Sequence, residues 1–245
     1  MQVVEREHSH RVRAEDLQDL PPVVKRYLTY TGIIGRSWIK TVRVQYSGSF
    51  RMAADKAWMP ISVNQVYTTD PPAFLWKATF KMAGVPFMFA VDTFKGGHGH
   101  MQGKVLGMFT VVDGSGPQID QGTMVRYLQE MTWFPTAFLG KNVTWQEVDN
   151  HAADVTLHAY GTDVTGRLYF DDAGRLLNFV AQRYGDFNGT TRMETWSAPT
   201  TDYGVFAGLN LPASGVGVWQ LPAGDLAYVN VRVGQIEYNQ PIDSF

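Results

Sequence analysis

Cysteine is absent from the 245 residues. That excludes disulfides, thiolate catalysis and zinc sites built on sulfur. Charge is scarce too: Asp, Glu, Lys and Arg together make up 18%, against about a quarter in ordinary globular domains. With so few charges, apolar surface has to be buried in a core, in a ligand site or between subunits. Nothing favours nucleic acid, because the formal net charge is -2 and no arginine-rich run occurs. No apolar run reaches the roughly 18 residues of a membrane span. Met1 to Asp19 is polar and lacks the apolar stretch of a secretory signal, so the expected location is the cytoplasm. Catalytic signatures are missing as well: there is no G-x-S-x-G elbow, no P-loop and no H-E-x-x-H. Gly96, Gly97, Gly99 and Gly103 precede a strand pattern and not a helix, so no helix terminus follows them to hold a phosphate. Any catalysis would be acid–base work by Asp, Glu, Arg, Tyr or His, without a cofactor.

What is present is apolar and aromatic, at 44% and 13% of the chain, ample for a packed core. Residues 1–19 read as a flexible N-terminal arm and residues 20–245 as a single domain that forms a cavity. Pro21-Pro22 opens a short helix striped by Val24, Tyr27 and Leu28, with Gly32 as its C-terminal cap. From Trp38 to Val112 the period changes to two, giving about six strands. Val42, Val44 and Tyr46 alternate with polar residues, and Val63, Gln65 and Tyr67 follow. Phe74-Leu75-Trp76 and Phe87 to Val91 are apolar at every position, as in strands covered on both faces. A helix is expected over 120–138, capped by Asp120 and ended or kinked at Pro135. A second run of strands extends from Val143 to Tyr238. Its turn signals include Asp149-Asn150, Asp171 to Gly174 and Asn188-Gly189, so its strands should be antiparallel neighbours.

Several residues are candidates for chemistry. Arg126 and Glu130 stand four apart on one helical face, among Tyr127, Leu128, Met131, Trp133 and Phe134. A solvated surface pair is the default at this spacing; the apolar company argues instead that Glu130 is buried and held by a cation, with Arg126 the first partner to expect and Arg183 the second. If Asn188-Gly189 is a two-residue hairpin, Arg183 falls opposite Glu194 and Ala181 opposite Trp196. Alternation then puts Leu177, Phe179, Ala181 and Arg183 on one face, and Arg192, Glu194 and Trp196 likewise. Such a pair is either a rim salt bridge of little weight or a polar anchor in an apolar cavity. Asp92 follows the apolar run of Phe87 to Val91 and reads first as a strand-end acid in solvent. Buried, its pKa would rise and it would serve as an acid or base. His98 and His100 share a strand face but have no third ligand nearby, so no metal is expected.

These residues also carry a resemblance. Leu20 to Leu28 with Gly32 and Gly35, Trp76, Asp92, Gly97 to Met101, the Arg126 to Glu130 and Trp133 to Ala137 block, Trp145 with Asp149, and Arg183-Tyr184 together resemble an uncharacterised bacterial family, domain of unknown function 6544. The resemblance covers residues 20–239 and implies no activity. The order of helix, strands, helix, strands is also similar to the lipoprotein-carrier half-barrel (LolA/LppX-like). That resemblance implies a curved antiparallel sheet whose concave face is closed by helices and holds acyl chains.

The expected fold class is therefore α+β, mainly antiparallel β, with a strongly curved sheet and covering helices around an apolar cavity. The cavity, of roughly 300–1,000 Å³, is expected to take a hydrophobic small molecule of lipid, polyketide or terpenoid type. Trp76, Phe87, Phe89, Tyr127, Trp133, Phe179, Arg183, Glu194 and Trp196 are its expected lining. Glu130, Arg126 and Asp92 would be the catalytic groups if the protein is a cofactor-independent isomerase, lyase or cyclase. The third reading is a structural subunit whose apolar face joins copies of itself.

Overall fold

A computed structural model describes residues 11–187 and 189–242. Pro21 and Pro22 start helix α1 (Pro22–Thr31), and Gly32 ends it in the left-handed conformation at φ 78°, as the sequence predicts. The six strands expected in the first half are β1 (Thr41–Phe50), β2 (Met59–Thr69), β3 (Pro72–Met82), β4 (Val85–Lys95), β5 (His98–Val105) and β6 (Phe109–Ser115). After helix α2 (Pro117–Glu130) come β7 (Val143–Asp149), β8 (Ala152–Ala159), β9 (Thr162–Phe170) and β10 (Leu176–Phe187). The last four are β11 (Thr190–Ser197), β12 (Thr200–Phe206), β13 (Leu209–Gln220) and β14 (Leu226–Tyr238).

The fourteen strands among the described residues belong to one antiparallel sheet, ordered β6-β5-β4-β3-β2-β1-β14-β13-β11-β10-β9-β8-β7, with β12 paired to β13 off this path. The two β runs of the sequence are thus joined through β1 and β14, where Val44 faces Ile236. The sheet is curved, and α2 shows by how much. The helix touches β3, β4, β5 and β6 at one end of the order and β9 and β10 towards the other. Nine strand steps separate β5 from β9, roughly 40 Å across a flat sheet. One helix, about 10–12 Å across, meets both only if the sheet wraps around it.

The helix begins and ends earlier than the expected 120–138 span. Gly116 is its N-cap and Pro117 its first residue, a position where proline costs no hydrogen bond. Asp120 is not the cap. It lies in the first turn and accepts the Gly99 N–H at 2.7 Å. Beyond Glu130 the chain tightens into 3-10 turns over Met131–Trp133 and Pro135–Leu139, broken at Phe134 (φ -140°, ψ 65°).

Two further expectations change. Residues 11–19 are seated and do not form an arm. Arg11 bridges to Ser37, Ala14–Leu17 make a 3-10 turn, and Val12 and Leu17 are buried; residues 1–10 of the expected arm lie outside the described residues. Strand β4 is covered on one face only: Ala90, Asp92 and Phe94 point inward, whereas Phe89 is 43% exposed and Val91 stands beside it in solvent.

Candidate functional site

The concave side of the sheet holds a cavity of about 1410 Å³, larger than the expected range. Its inner wall comes from α2, through Gly122, Arg126 and Glu130, and from Trp133 just beyond. Trp76, Phe80, Met88 and Asp92 face it from β3 and β4, and Arg183, Trp196, Trp219 and Tyr228 from the opposite arm. Its rim runs along exposed residues such as Met52 and Val111.

At the inner wall two acids share one base. Arg126 donates from Nε to Glu130 Oε1 at 2.9 Å and from Nη1 to Asp92 Oδ2 at 2.7 Å. Glu130 is 4% exposed, Asp92 2%, and the Arg126 side chain 14%. The helical spacing supplies the first contact; the sheet delivers the second, because Asp92 sits on the inward face of β4, opposite Trp76 of β3. The strand-end reading of Asp92 is thereby corrected. The residue is in mid-strand, and the alternation that hides Ala90 and Phe94 hides it as well.

The remaining lone pairs are nearly all met. Gln65, fully buried on β2, donates to Glu130 Oε2 at 2.9 Å and accepts from Arg126 Nη2 and the Tyr46 hydroxyl, each at 3.3 Å. Tyr46 accepts in turn from Trp76 Nε1 at 2.6 Å. The guanidinium also lies over the rings of Trp76 and Phe74, at 5.0 and 5.1 Å. Of the two carboxylates, Asp92 keeps an oxygen over: its Oδ1 is buried and has no hydrogen-bond partner. Burial pushes the Asp92 carboxyl up to about 6; Arg126 and Arg183 oppose that shift, and Glu130 adds to it. Burial also raises the Tyr46 hydroxyl, so it stays a donor. For Arg126 burial disfavours the charge, but the neighbouring Glu130, Tyr46 and Asp92 outweigh it, and the guanidinium is held well above its ordinary range.

Arg183 occupies the other arm. The hairpin register is as expected: Arg183 faces Glu194, Ala181 faces Trp196, and Phe187 faces Thr190 around the turn. Gly189 has φ 80°, as such a turn requires; Asn188 lies outside the described residues. The side chains do not follow the register into an ion pair. Glu194 Oε1 accepts instead from Arg192 Nε at 2.5 Å, and Glu194 is not part of the cavity lining. Arg183 donates from Nε to the Gly122 carbonyl of α2 at 2.9 Å and from Nη1 to the Tyr228 hydroxyl at 3.4 Å. Its guanidinium stacks over Trp196 at 4.7 Å and Trp219 at 5.5 Å, two residues paired across β11 and β13. No ion pair among the described residues includes it.

Of the expected lining, Trp76, Phe87, Trp133, Arg183 and Trp196 are in place. Three aromatics are not. Phe89 points to the outer face of β4. Tyr127 is core, packed on Tyr67, Phe94 and Phe134, with its hydroxyl on the Thr68 carbonyl at 2.8 Å. Phe179 is core under Trp196. Leu177 leaves their face because the β9–β10 register shifts between Leu176 and Asn178, which turns it outward. His98 and His100 each meet one acid, Asp120 at 3.4 Å and Asp113 at 2.8 Å. No group of three metal-ligating side chains occurs among the described residues. Gln65, Tyr46, Trp219 and Tyr228 are site residues that sequence reasoning missed. Only Gln65 left a signal, as the polar member of the alternating Val63, Gln65, Tyr67 face.

A family model described as a family of unknown function (DUF6544) matches residues 10–231. No curated protein is matched. Among solved structures, a LolA superfamily protein from Nitrosomonas europaea has TM-score 0.47 and 10% identity, covering 90% of this chain and 93% of its own. A DUF1329 family protein from Desulfovibrio piger has TM-score 0.43 and 10% identity, covering 90% and 92%. No helix among the described residues is long and apolar enough to cross a membrane.

Proposed function

The chain belongs to the DUF6544 family of unknown function, and from its site we propose that it binds a hydrophobic small molecule, of lipid, polyketide or terpenoid type, whose acidic head meets Arg183. The observation that carries this is the setting of Arg183. A cation without an ion-pair partner among the described residues lies on two tryptophans at the wall of an apolar cavity of about 1410 Å³. Ligand sites of this kind combine an apolar lining with a few placed polar groups. Arg126 is less suited to a ligand's charge, because two carboxylates already hold it. Displacement of a fluorescent fatty acid, with the cavity tryptophans as energy donors, tests the proposal. Arg183→Gln should weaken binding by about 10- to 100-fold, the value of a charge-assisted hydrogen bond, while a neutral isoprenoid alcohol should bind both proteins alike. Equal affinity of the acid for parent and variant would remove Arg183 as the anchor. No displacement by any acid or alcohol would remove the ligand reading.

One observation favours a second reading. Asp92 Oδ1 is buried without a hydrogen-bond partner, its residue lines the cavity, and its carboxyl is pushed up to about 6. An acid poised near the working pH is what proton transfer needs. The matching activity is a cofactor-independent isomerisation, elimination or cyclisation, with Arg126 and Glu130 fixing the carboxyl. Incubation of unsaturated fatty and isoprenoid acids with the protein in D2O, followed by mass analysis, tests it. Deuterium should enter with the parent and not with Asp92→Asn; no incorporation with either leaves a binding protein.

A further inference from the structure

We propose that the rim made by the β1–β2, β3–β4 and β5–β6 turns docks onto a bilayer containing anionic lipids. In an antiparallel meander every second turn falls at the same end, so these three gather together. The Leu106 N–H donates to the Phe87 carbonyl at 2.8 Å, joining the third turn to the second.

The turns are apolar where turns are ordinarily polar. Met52, Met82, Val85, Leu106, Met108 and Phe109 are between 51% and 72% exposed. Backbone conformation does not account for them. Leu106 takes φ 53°, a region where Gly or Asn is at ease and a branched apolar residue is not. An exposed apolar group of this kind marks an interaction surface.

Its charge says which surface. Segments 50–59, 80–88 and 104–110 contain four basic residues, Arg51, Lys56, Lys81 and Lys104, against one acid, Asp55. The chain as a whole has net charge -2, so these three turns are basic on a slightly acidic protein, with Asp225 a further acid on the adjoining β13–β14 turn. Apolar tips with a basic collar suit an anionic interface: the tips enter the acyl boundary and the cations meet lipid phosphates. A second copy fits less well, because a two-fold contact through this rim would bring two basic collars together. Docking would also bring the cavity to the bilayer, since Met52, Phe87, Met88 and Val105 belong to both rim and cavity lining. The docking proposal does not depend on which ligand the cavity holds.

Flotation of the full chain with vesicles of phosphatidylcholine, with and without phosphatidylglycerol, tests the proposal. The parent should float with the anionic vesicles and be released by salt. Lys81→Gln with Lys104→Gln should lower partitioning by roughly 25-fold, since each basic residue contributes roughly fivefold at an anionic surface. Met108→Glu with Val85→Glu should abolish it, with an unchanged far-ultraviolet spectrum; neither residue lines the cavity. No flotation of the parent, or equal flotation of parent and variants, overturns the proposal. So does a parent dimer that Met108→Glu splits while vesicles stay unbound, which would assign the rim to a second copy.

Discussion

Asp92 and Glu130 share Arg126, but only Asp92 keeps a buried oxygen without a partner. Its carboxyl is raised from 3.8 to about 6, so the folded state prefers it protonated. That contribution to stability is fully present below pH 3.8 and is lost as pH rises through about 6. The span corresponds to about 3 kcal/mol. Asp92→Asn cannot titrate, so its stability relative to the parent should improve by about that amount across the same window. Urea unfolding of both proteins at a series of pH values measures this, and a constant difference would show that Asp92 ionises as in water. Glu130 behaves differently on removal. Glu130→Ala leaves Arg126 with one acid and strands the Gln65 amide, and should cost about 3–5 kcal/mol; Glu130→Gln keeps the shape and should fold. A Glu130→Ala protein that melts with the parent would make the contact dispensable. The Arg126–Glu130 contact was legible because helical spacing fixes it locally. Asp92 and Gln65 were not, since their burial depends on which face of β4 and β2 meets α2, a matter of long-range pairing.

Helix α2 is held against the sheet by backbone contacts that only small residues permit. A Cβ on Gly99 would stand 2.9 Å from the Ile119 carbonyl and 2.5 Å from the Thr123 hydroxyl, both on the helix. At Gly103, on the same strand, the nearest atom would be at 3.5 Å, an ordinary contact. Gly99→Ala should therefore push the helix off β5 and cost about 1–3 kcal/mol, whereas Gly103→Ala should be close to neutral. Chemical denaturation of the two variants checks this, and equal midpoints would mean the helix yields freely. The sequence marked both residues only as strand glycines, because nothing local says that a helix crosses one and not the other. Element identity was more readable than element edges. The strands and both helices were visible as periods of two and as an apolar stripe, yet α2 begins at Pro117 through a Gly116 cap that has no polar side chain to announce it. Continuous apolar runs misled in β4 for a physical reason. Phe89 and Val91 suit a strand covered on both sides, but here they face outward.

At the scale of the whole molecule, the pairing that matters most is the one furthest apart in sequence. Val42 faces Tyr238 and Phe50 faces Val229 across β1 and β14, which joins the two β runs into one sheet. No turn signal encodes that seam, so curvature was expected from the order of elements while the strand order was not. The seam also decides how the protein unfolds. Trp76 reports on the first run and Trp196 on the second, and α2 contacts both arms. Separating the arms would uncover the inner faces of β1 and β14, where Val44 and Ile236 are buried, and would strip Arg183 from the Gly122 carbonyl. Each run then loses part of its covered apolar face, so we expect the two to unfold together as a single domain. Thermal melts followed by far-ultraviolet dichroism and by tryptophan fluorescence, in Trp76→Phe and Trp196→Phe variants, should give coincident midpoints. Refolding should be slow, because loop closure over nearly the whole chain precedes the β1–β14 contacts. Two separated transitions, whose fluorescence amplitudes change selectively in the two variants, would instead divide the chain into two units that meet at β1 and β14.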